Sequence, residues 1–399
     1  MLAVGNNKYL SLALVSLFLC VPARAVQLGI DALKESDYAL LAGKRVGLIT
    51  NQTGVDSQGT RTRLLLRRNC NLVALYSPEH GLDGTQPAGR YVPSRRDAAT
   101  GLIVHSLYGP NRKPTPEMLR DVDVLVFDMQ DIGCRSYTYI STMGRCMEAA
   151  GEHHIPFVVL DRPNPLGGVR IEGPSVEKRW ISFVGQFPIP YVHGMTVGEL
   201  AKMVNAKGWM ETRCDLTVVP MRGWNRNQTW EKTDLRWVPT SPNIPRGTSP
   251  LYYVATGIVG ELSGLDTGVG GPAPFERIAA PWLNAASFTR YLRSLDMPGV
   301  SFREYRSGRH QGSSLRIDPH APANLTALGI YMLAEMNRPA RPDLFQRTSA
   351  SKLDIFYKVY GSESIRPQVR HGTPVGSIVG AWKTTVQDFR RERSLYLLY

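Results

Sequence analysis

Cysteine is scarce in this chain. Five among 399 residues are too few for a small domain held together by disulfides. No Cys-x-x-Cys pair and no Cys/His cluster occurs, so the usual frameworks for structural zinc are missing. Charged residues are limited to 20% while hydrophobic residues reach 43%, which excludes a mainly disordered protein and leaves enough apolar side chains for a sizeable core. Acids are outnumbered, 34 against 47 Lys and Arg, for a formal net charge of +13. The basic residues are scattered and no recognition motif accompanies them, so nucleic acid is not an expected partner. The excess charge favours anionic partners such as cell-wall glycans, or simply a solvated basic surface. Glycine (37) and proline (28) are plentiful, but without a Gly-x-y period, and they suit a loop-rich enzyme.

Several motifs are also absent. No Gly-x-Gly-x-x-Gly or Walker loop follows the first strand, and Thr53-Gly54 is too little to cradle a pyrophosphate. No Gly-x-Ser-x-Gly elbow marks a serine hydrolase and no His-Glu-x-x-His marks a zincin. No cofactor and no metal is therefore expected.

The single long apolar run lies at the N-terminus. Lys8 precedes an h-region over Leu10–Val21, and Ala23-Arg24-Ala25 forms a small-x-small cleavage site. Residues 1–25 read as a secretory signal, with an uncleaved anchor as the alternative. Loss of Lys8 and Arg24 would lower the net charge from +13 to +11. The chain is expected to be exported, to the periplasm or, without an outer membrane, to the medium, and to keep no membrane span. Cys70, Cys134, Cys146 and Cys214 remain, and three pairings are open to them.

Next comes a series of apolar, β-branched runs: Arg45–Thr50, Asn71–Tyr76, Leu102–Leu107, Asp123–Asp128 and Ile155–Leu160. Continuous apolar runs suit strands buried on both faces, and the intervening Arg61–Arg68 and Ser141–Glu152 fit crossover helices. The pattern predicts an α/β fold with a mostly parallel, doubly wound sheet over residues 26–185. Residues 186–399 are less regular. Helices are expected at Met195–Asn205, Ala286–Leu295, Asn324–Met336 and Ser349–Tyr357, and a long loop at Trp224–Pro250. This part is expected to be a smaller α+β domain that completes a cleft.

Asn51, Glu79, Asp128 and Asp161 each stand at or just past the C-terminal end of a strand. In open α/β sheets ligands bind in the crevice at those ends, so these residues can converge. Glu79-His80 sets a carboxyl beside an imidazole, an arrangement suited to acid/base work, though a loop salt bridge or cap would look the same. Glu117 follows Thr115 and Pro116 in what also reads as a capped helix start. Asp128, Asp131, Arg135, Tyr137 and Tyr139 follow a buried strand. They are costly to bury without a polar site, and a structural Asp–Arg pair is the alternative. Arg162 suits bidentate carboxylate binding and Asn164 a sugar amide or hydroxyl. His193 precedes a helix, as a ligand contact or as packing. Asn243 sits in a stiff Ser-Pro-Asn-Ile-Pro turn, and Glu276 follows a glycine-rich loop. Acids, Tyr, Trp and Asn on loops together suit a carbohydrate site, where paired carboxylates are the usual apparatus.

The strings themselves resemble a known family. They are Leu48–Gly54, Ser77–Gly81, Ser106–Gly109, Lys113–Leu119, Val126–Gly133, Tyr137–Ile140, Asp161–Gly168, His193–Thr196, Ser241–Pro245, Pro274–Glu276 and Ala280–Trp282. In this order they look like the exo-β-N-acetylmuramidase family of the NamZ type, from about residue 27 to the C-terminus. The resemblance implies a Rossmann-like domain joined to a smaller C-terminal domain. It implies a glycoside hydrolase that releases N-acetylmuramic acid from the non-reducing end of peptidoglycan glycans or muropeptides, in cell-wall turnover. Glu79 would be the general acid and Glu117 the second carboxylate. A substrate acetamido group could instead act as nucleophile. Asn51, His80, Asp128, Arg135, Tyr139, Asp161, Arg162, Asn164, His193, Asn243 and Glu276 would line the sugar site, with Arg135 or Arg162 pairing the lactyl carboxylate.

Three departures stand out. Asp83 occupies a place where the family often has Arg, Ser263–Pro274 lacks the arginine of the family's glycine loop, and Cys134 replaces a small residue. They leave a second hypothesis open, a non-catalytic protein that binds peptidoglycan fragments. An amidase or esterase lacks a nucleophile or metal signature.

Overall fold

The computed structural model describes residues 26–339 and 341–399. The expected signal segment, residues 1–25, lies outside them. No described helix is long and apolar enough to cross a membrane.

The strands are β1 (Arg45–Thr50), β2 (Asn71–Ser77), β3 (Arg95–Arg96), β4 (Ile103–Ser106), β5 (Val124–Asp128), β6 (Phe157–Leu160), β7 (Glu172–Ser175), β8 (Pro190–Val192), β9 (Leu216–Val219), β10 (Arg277–Ala280), β11 (Val300–Ser307) and β12 (His310–Ile317). Seven of them form one sheet in the order β3-β4-β2-β1-β5-β6-β9. All its neighbours run parallel except the short edge pair β3–β4. The alternation of side chains explains why the central runs carry no charge. Val124 and Val126 of β5 pack on one face with Ile30, Leu33, Leu65 and Leu66, while Leu125 and Phe127 pack on the other with Ile140, Met143 and Met147. Both faces are covered by helices, as a parallel sheet requires.

The sequence places a domain boundary near residue 185. Strand β9 pairs with β6 well beyond that point, so the sheet domain runs past it. The second part holds the antiparallel sheet β10-β12-β11 and packs helix Ser249–Gly260 against Leu325–Met336. Sequence patterning missed this sheet because β11 and β12 carry Arg and Ser on their outer faces and read as polar.

The two parts are tied together firmly. The buried Arg135 guanidinium donates to the carbonyls of Pro174 and Ile189 and, from the second part, Val359 and Tyr360, at 2.6–2.9 Å. The C-terminal segment returns to the sheet domain. There Arg393 donates to the His193 carbonyl, Leu398 N–H to Glu199, and the Tyr399 hydroxyl to Asp161 at 2.7 Å. One apolar cluster runs from Ile49 and Phe127 through Phe275 and Leu333 to Phe389. All four described cysteines are free thiols, and three of them are buried.

Candidate active site

A cleft of about 640 Å³ opens between the two parts. One wall comes from the loops after β2, β4 and β5, with Glu79, His80, Tyr108 and Ser136–Tyr139. The other comes from Ser241, Asn243, Tyr253, Glu261, Asp266, Thr267, Val269 and Phe275. Aromatic rings cross it in a chain: Tyr139 to Tyr137 at 4.8 Å, Tyr137 to Tyr253 at 6.2 Å, and Tyr253 to Phe275 at 5.0 Å. Such faces suit the apolar sides of sugar rings.

Glu79 is only 9% exposed, and both its oxygens are held. Oε1 accepts the Gly89 N–H at 2.7 Å and Oε2 accepts the Thr138 hydroxyl at 2.8 Å. Tyr108 lies beside the same carboxylate, and burial together with that negative charge raises its phenol. The turn behind Glu79 is tight. His80 (φ 69°) and Gly81 (φ 76°) are both left-handed, and His80 Nδ1 meets the Gln86 carbonyl at 2.6 Å. Phe275 across the cleft is left-handed too (φ 66°). A left-handed bulky residue is rare and persists only where the surroundings impose it, which is common beside functional sites.

A second carboxyl in the cleft was not foreseen. Glu261 follows the C-terminus of helix Ser249–Gly260. Burial raises its pKa, only partly opposed by Lys352. Its place at a helix C-terminus acts in the same direction. The sequence signal was the apolar run Leu251–Val259 after Pro250, which, read as a helix, puts Glu261 at the helix end. Asp266 also lines the cleft, but Arg277 holds it at 2.9 Å and lowers its pKa against the effect of burial.

Of the residues expected to line the sugar site, His80, Tyr139 and Asn243 join Glu79 in the cleft. Tyr139 donates to the Thr240 carbonyl at 2.5 Å, and Asn243 accepts the Gly270 N–H at 3.1 Å. Glu117 is an exposed second residue of a short helix capped by Thr115, outside the cleft lining. Both terminal nitrogens of Arg135 are taken by four carbonyls, with burial pushing its pKa down to about 10. Arg162 binds Asp128 at 2.6 Å and the Val55 carbonyl at 2.7 Å, and Asp128 also accepts the Thr62 hydroxyl at 2.5 Å. Asp161 accepts from Arg162 N–H, Gly198 N–H, Thr196 and Tyr399. Asn51 accepts Thr53 N–H and hydroxyl, and Asn164 spans Leu166 N–H and the Met195 carbonyl. His193 is buried, and burial beside Arg393 and Arg135 pushes it down to about 3, so it is neutral at physiological pH. Glu276 pairs with Arg246 just outside the cleft. The structural Asp–Arg pair weighed from the sequence thus exists, with Arg162 rather than Arg135 as partner.

Two departures are accommodated locally. Asp83 pairs with Arg95 and lies 3.7 Å from Arg63. The altered loop gives Leu265–Thr267 and the exposed Val269 to the cleft.

Fold and site define a two-part α/β protein with a sugar-sized, carboxyl-bearing cleft between its parts. Comparison with known proteins gives the family. Residues 46–248 match the N-terminal and residues 251–399 the C-terminal domain of exo-β-N-acetylmuramidase NamZ, and the chain belongs to this family. A relative from Bacillus subtilis strain 168, named peptidoglycan β-N-acetylmuramidase NamZ, is 42% identical over 385 residues, which is 94% of this chain and 91% of that protein. A DUF1343 family protein of Bacteroides fragilis, solved at 1.65 Å, superposes with a TM-score of 0.88 at 44% identity, covering 94% of this chain and 99% of its own. A second from the same organism gives 0.71 at 28% identity, with the same coverage.

Proposed function

We propose that this chain is an exo-acting glycoside hydrolase that releases terminal N-acetylmuramic acid from the non-reducing end of peptidoglycan glycans or muropeptides. The observation that carries the reading is the Glu79 carboxylate, fixed by Gly89 and Thr138 on the wall of an aromatic cleft. The relative's name supplies the substrate class.

Cleaving a β-glycoside needs a proton on the leaving oxygen and negative charge near the anomeric carbon. Glu261, whose pKa is raised by burial, supplies the proton. Glu79, held among donors, faces the developing positive charge or orients the substrate acetamide. This reverses the acid role expected for Glu79 and puts Glu261 where the sequence put Glu117. Arg135 and Arg162 are buried in other bonds, so neither reads the lactyl carboxylate. Arg112 lies 4.6 Å from the Phe183 ring and 5.6 Å from that of Tyr108, which lines the cleft, and takes that part. The sequence of residues 1–25, which reads as a secretory signal, supports action outside the cytoplasm, in the periplasm where an outer membrane exists.

The test uses N-acetylmuramic acid–β-1,4–N-acetylglucosamine and an aryl β-muramide with a good leaving group. The chain should free muramic acid from both. E79Q should lose both, and E261Q the disaccharide alone, because the aryl leaving group needs no proton. Tight binding without release, or normal turnover by E79Q, overturns the reading. Export is checked by cell fractionation: removal of residues 1–25 should strand the chain in the cytoplasm, and unchanged export would refute it.

A further inference from the structure

The cleft poses a problem of charge. Its titratable lining is Glu79, His80, Tyr108, Tyr137, Tyr139, Tyr253, Glu261 and Asp266, with no Lys or Arg among the described residues. Peptidoglycan fragments carry carboxylates on the peptide attached to the muramic lactyl group, and these need cations beyond the cleft.

Such cations lie next door. A groove of about 260 Å³ runs over the outer face of β10-β12-β11. The period of two puts Ser301, Arg303 and Tyr305 of β11 on this face, while Phe302 turns into the core. Register sets Arg303 opposite Ser314, Ser314 opposite Arg277, and Ser301 opposite Arg316. Arg277, Arg303 and Arg316 therefore share one polar floor. Arg277 is occupied: it holds Asp266 at 2.9 Å and stacks 4.8 Å over the Tyr305 ring. Glu276, the acid of the groove, is neutralised by Arg246. Arg303 and Arg316 are exposed, and neither guanidinium has an acidic or hydrogen-bonding partner among the described residues. Groove and cleft share a wall, since Asp266 lines the cleft and its partner Arg277 lines the groove. Uncompensated guanidinium groups beside serine hydroxyls form a receptor for carboxylates, and Arg binds these bidentately.

We propose that the groove over β10-β12-β11, through Arg303 and Arg316, binds the carboxylates of the peptide borne by the muramic acid in the cleft. The inference rests on the reading of the cleft as a muramic acid site. It makes the protein a reader of peptide-bearing ends as well as bare ones, with the peptide sensed by a separate part of the chain.

The probes are the bare disaccharide and the same disaccharide carrying L-Ala–D-Glu on its lactyl group. The double variant R303Q/R316Q changes only exposed side chains and should keep the bare-disaccharide kinetics of the unaltered chain. Its KM for the peptide-bearing substrate should rise about tenfold with kcat unchanged, and the difference should shrink as salt screens the contact. Equal KM values for the variant and the unaltered chain on the peptide-bearing substrate, or equal losses on both substrates, overturn the proposal. If the unaltered chain cleaves neither substrate, the hydrolase reading fails by itself. The groove is then judged by calorimetric binding of the L-Ala–D-Glu disaccharide, which R303Q/R316Q should weaken and which, if unaffected, refutes it.

Discussion

The ends of β2 and β5 carry the same kind of sequence signal and have opposite fates. Each strand ends at a buried acid or runs into one just beyond it, Glu79 after β2 and Asp128 at the end of β5. Asp128 sits where the strand order reverses, beside β1, and there its oxygens are taken by Arg162 and Thr62. Gln52 closes the same crevice by donating to the Pro239 and Thr240 carbonyls at 2.8 and 3.0 Å. At this reversal the crevice expected along the strand ends is therefore a filled polar joint. Two strands over, past β1, Glu79 keeps a face toward an open cleft. A polar residue at a strand end announces either a ligand or a joint, and what tells them apart is whether the side chain borders an open cleft, as Glu79 does, or is sealed against a buried cation, as Asp128 is against Arg162.

That contrast is sharpest in two variants. E79Q should lower kcat by about 10³-fold or more while leaving the melting temperature within a degree or two, measured by disaccharide turnover and calorimetry. D128A should do the reverse. It leaves the Arg162 guanidinium buried without its partner, at a cost of about 3–5 kcal/mol in denaturant unfolding, while molecules that remain folded should keep turning over. A variant of either acid that moved both quantities equally would erase the distinction.

Asp131 lies between these extremes. Its Oδ2 accepts the Gly133 N–H at 2.6 Å, its Oδ1 has no partner, and burial pushes its pKa up to about 7. A folded-state pKa above the unfolded one means that the native state holds the proton more tightly, so this group's contribution to stability falls as pH rises from about 4 to about 7. D131N removes that loss. It should nearly match the unaltered chain at pH 4 and exceed it by about 4 kcal/mol at pH 8, at roughly 1.4 kcal/mol for each pH unit between the two pKa values, read from melting at both pH values. The smallest effect belongs to E117Q. Exposed and outside the cleft lining, it should change turnover less than twofold; a hundredfold loss would restore Glu117 as the second carboxylate.

The first half of the fold was legible because its strands are buried on both faces, so their apolar runs are unbroken and their ends are marked by Asn51, Pro78 and Asp161. The helices beginning near Thr196, Asn324 and Ser349 were legible too, and in the structure each of these side chains caps its helix by accepting a backbone N–H. The sheet of β10-β12-β11 was not, since one of its faces is arginine and serine. At the site, Glu79 stood out as an acid in a strand-end loop. Glu261 did not, because its position comes from the way helix Ser249–Gly260 packs on Leu325–Met336, a contact between residues far apart in sequence. Arg135 misled for the opposite reason: a guanidinium that serves four carbonyls looks, in sequence, like one that waits for a ligand.

The same Arg135 has a consequence for how the molecule comes apart. Its four carbonyl partners are drawn from both parts, and the apolar cluster around it is continuous across them. The family domains meet near residue 250, yet a cut there would leave two fragments, each with an open apolar flank and one holding an orphaned buried cation. Heating should melt the chain in a single transition, and a nick in the 249–250 peptide bond should hasten aggregation rather than release two working halves. The cleft is a seam in one cooperative body, not a gap between modules, so its walls hold their spacing before a glycan end arrives.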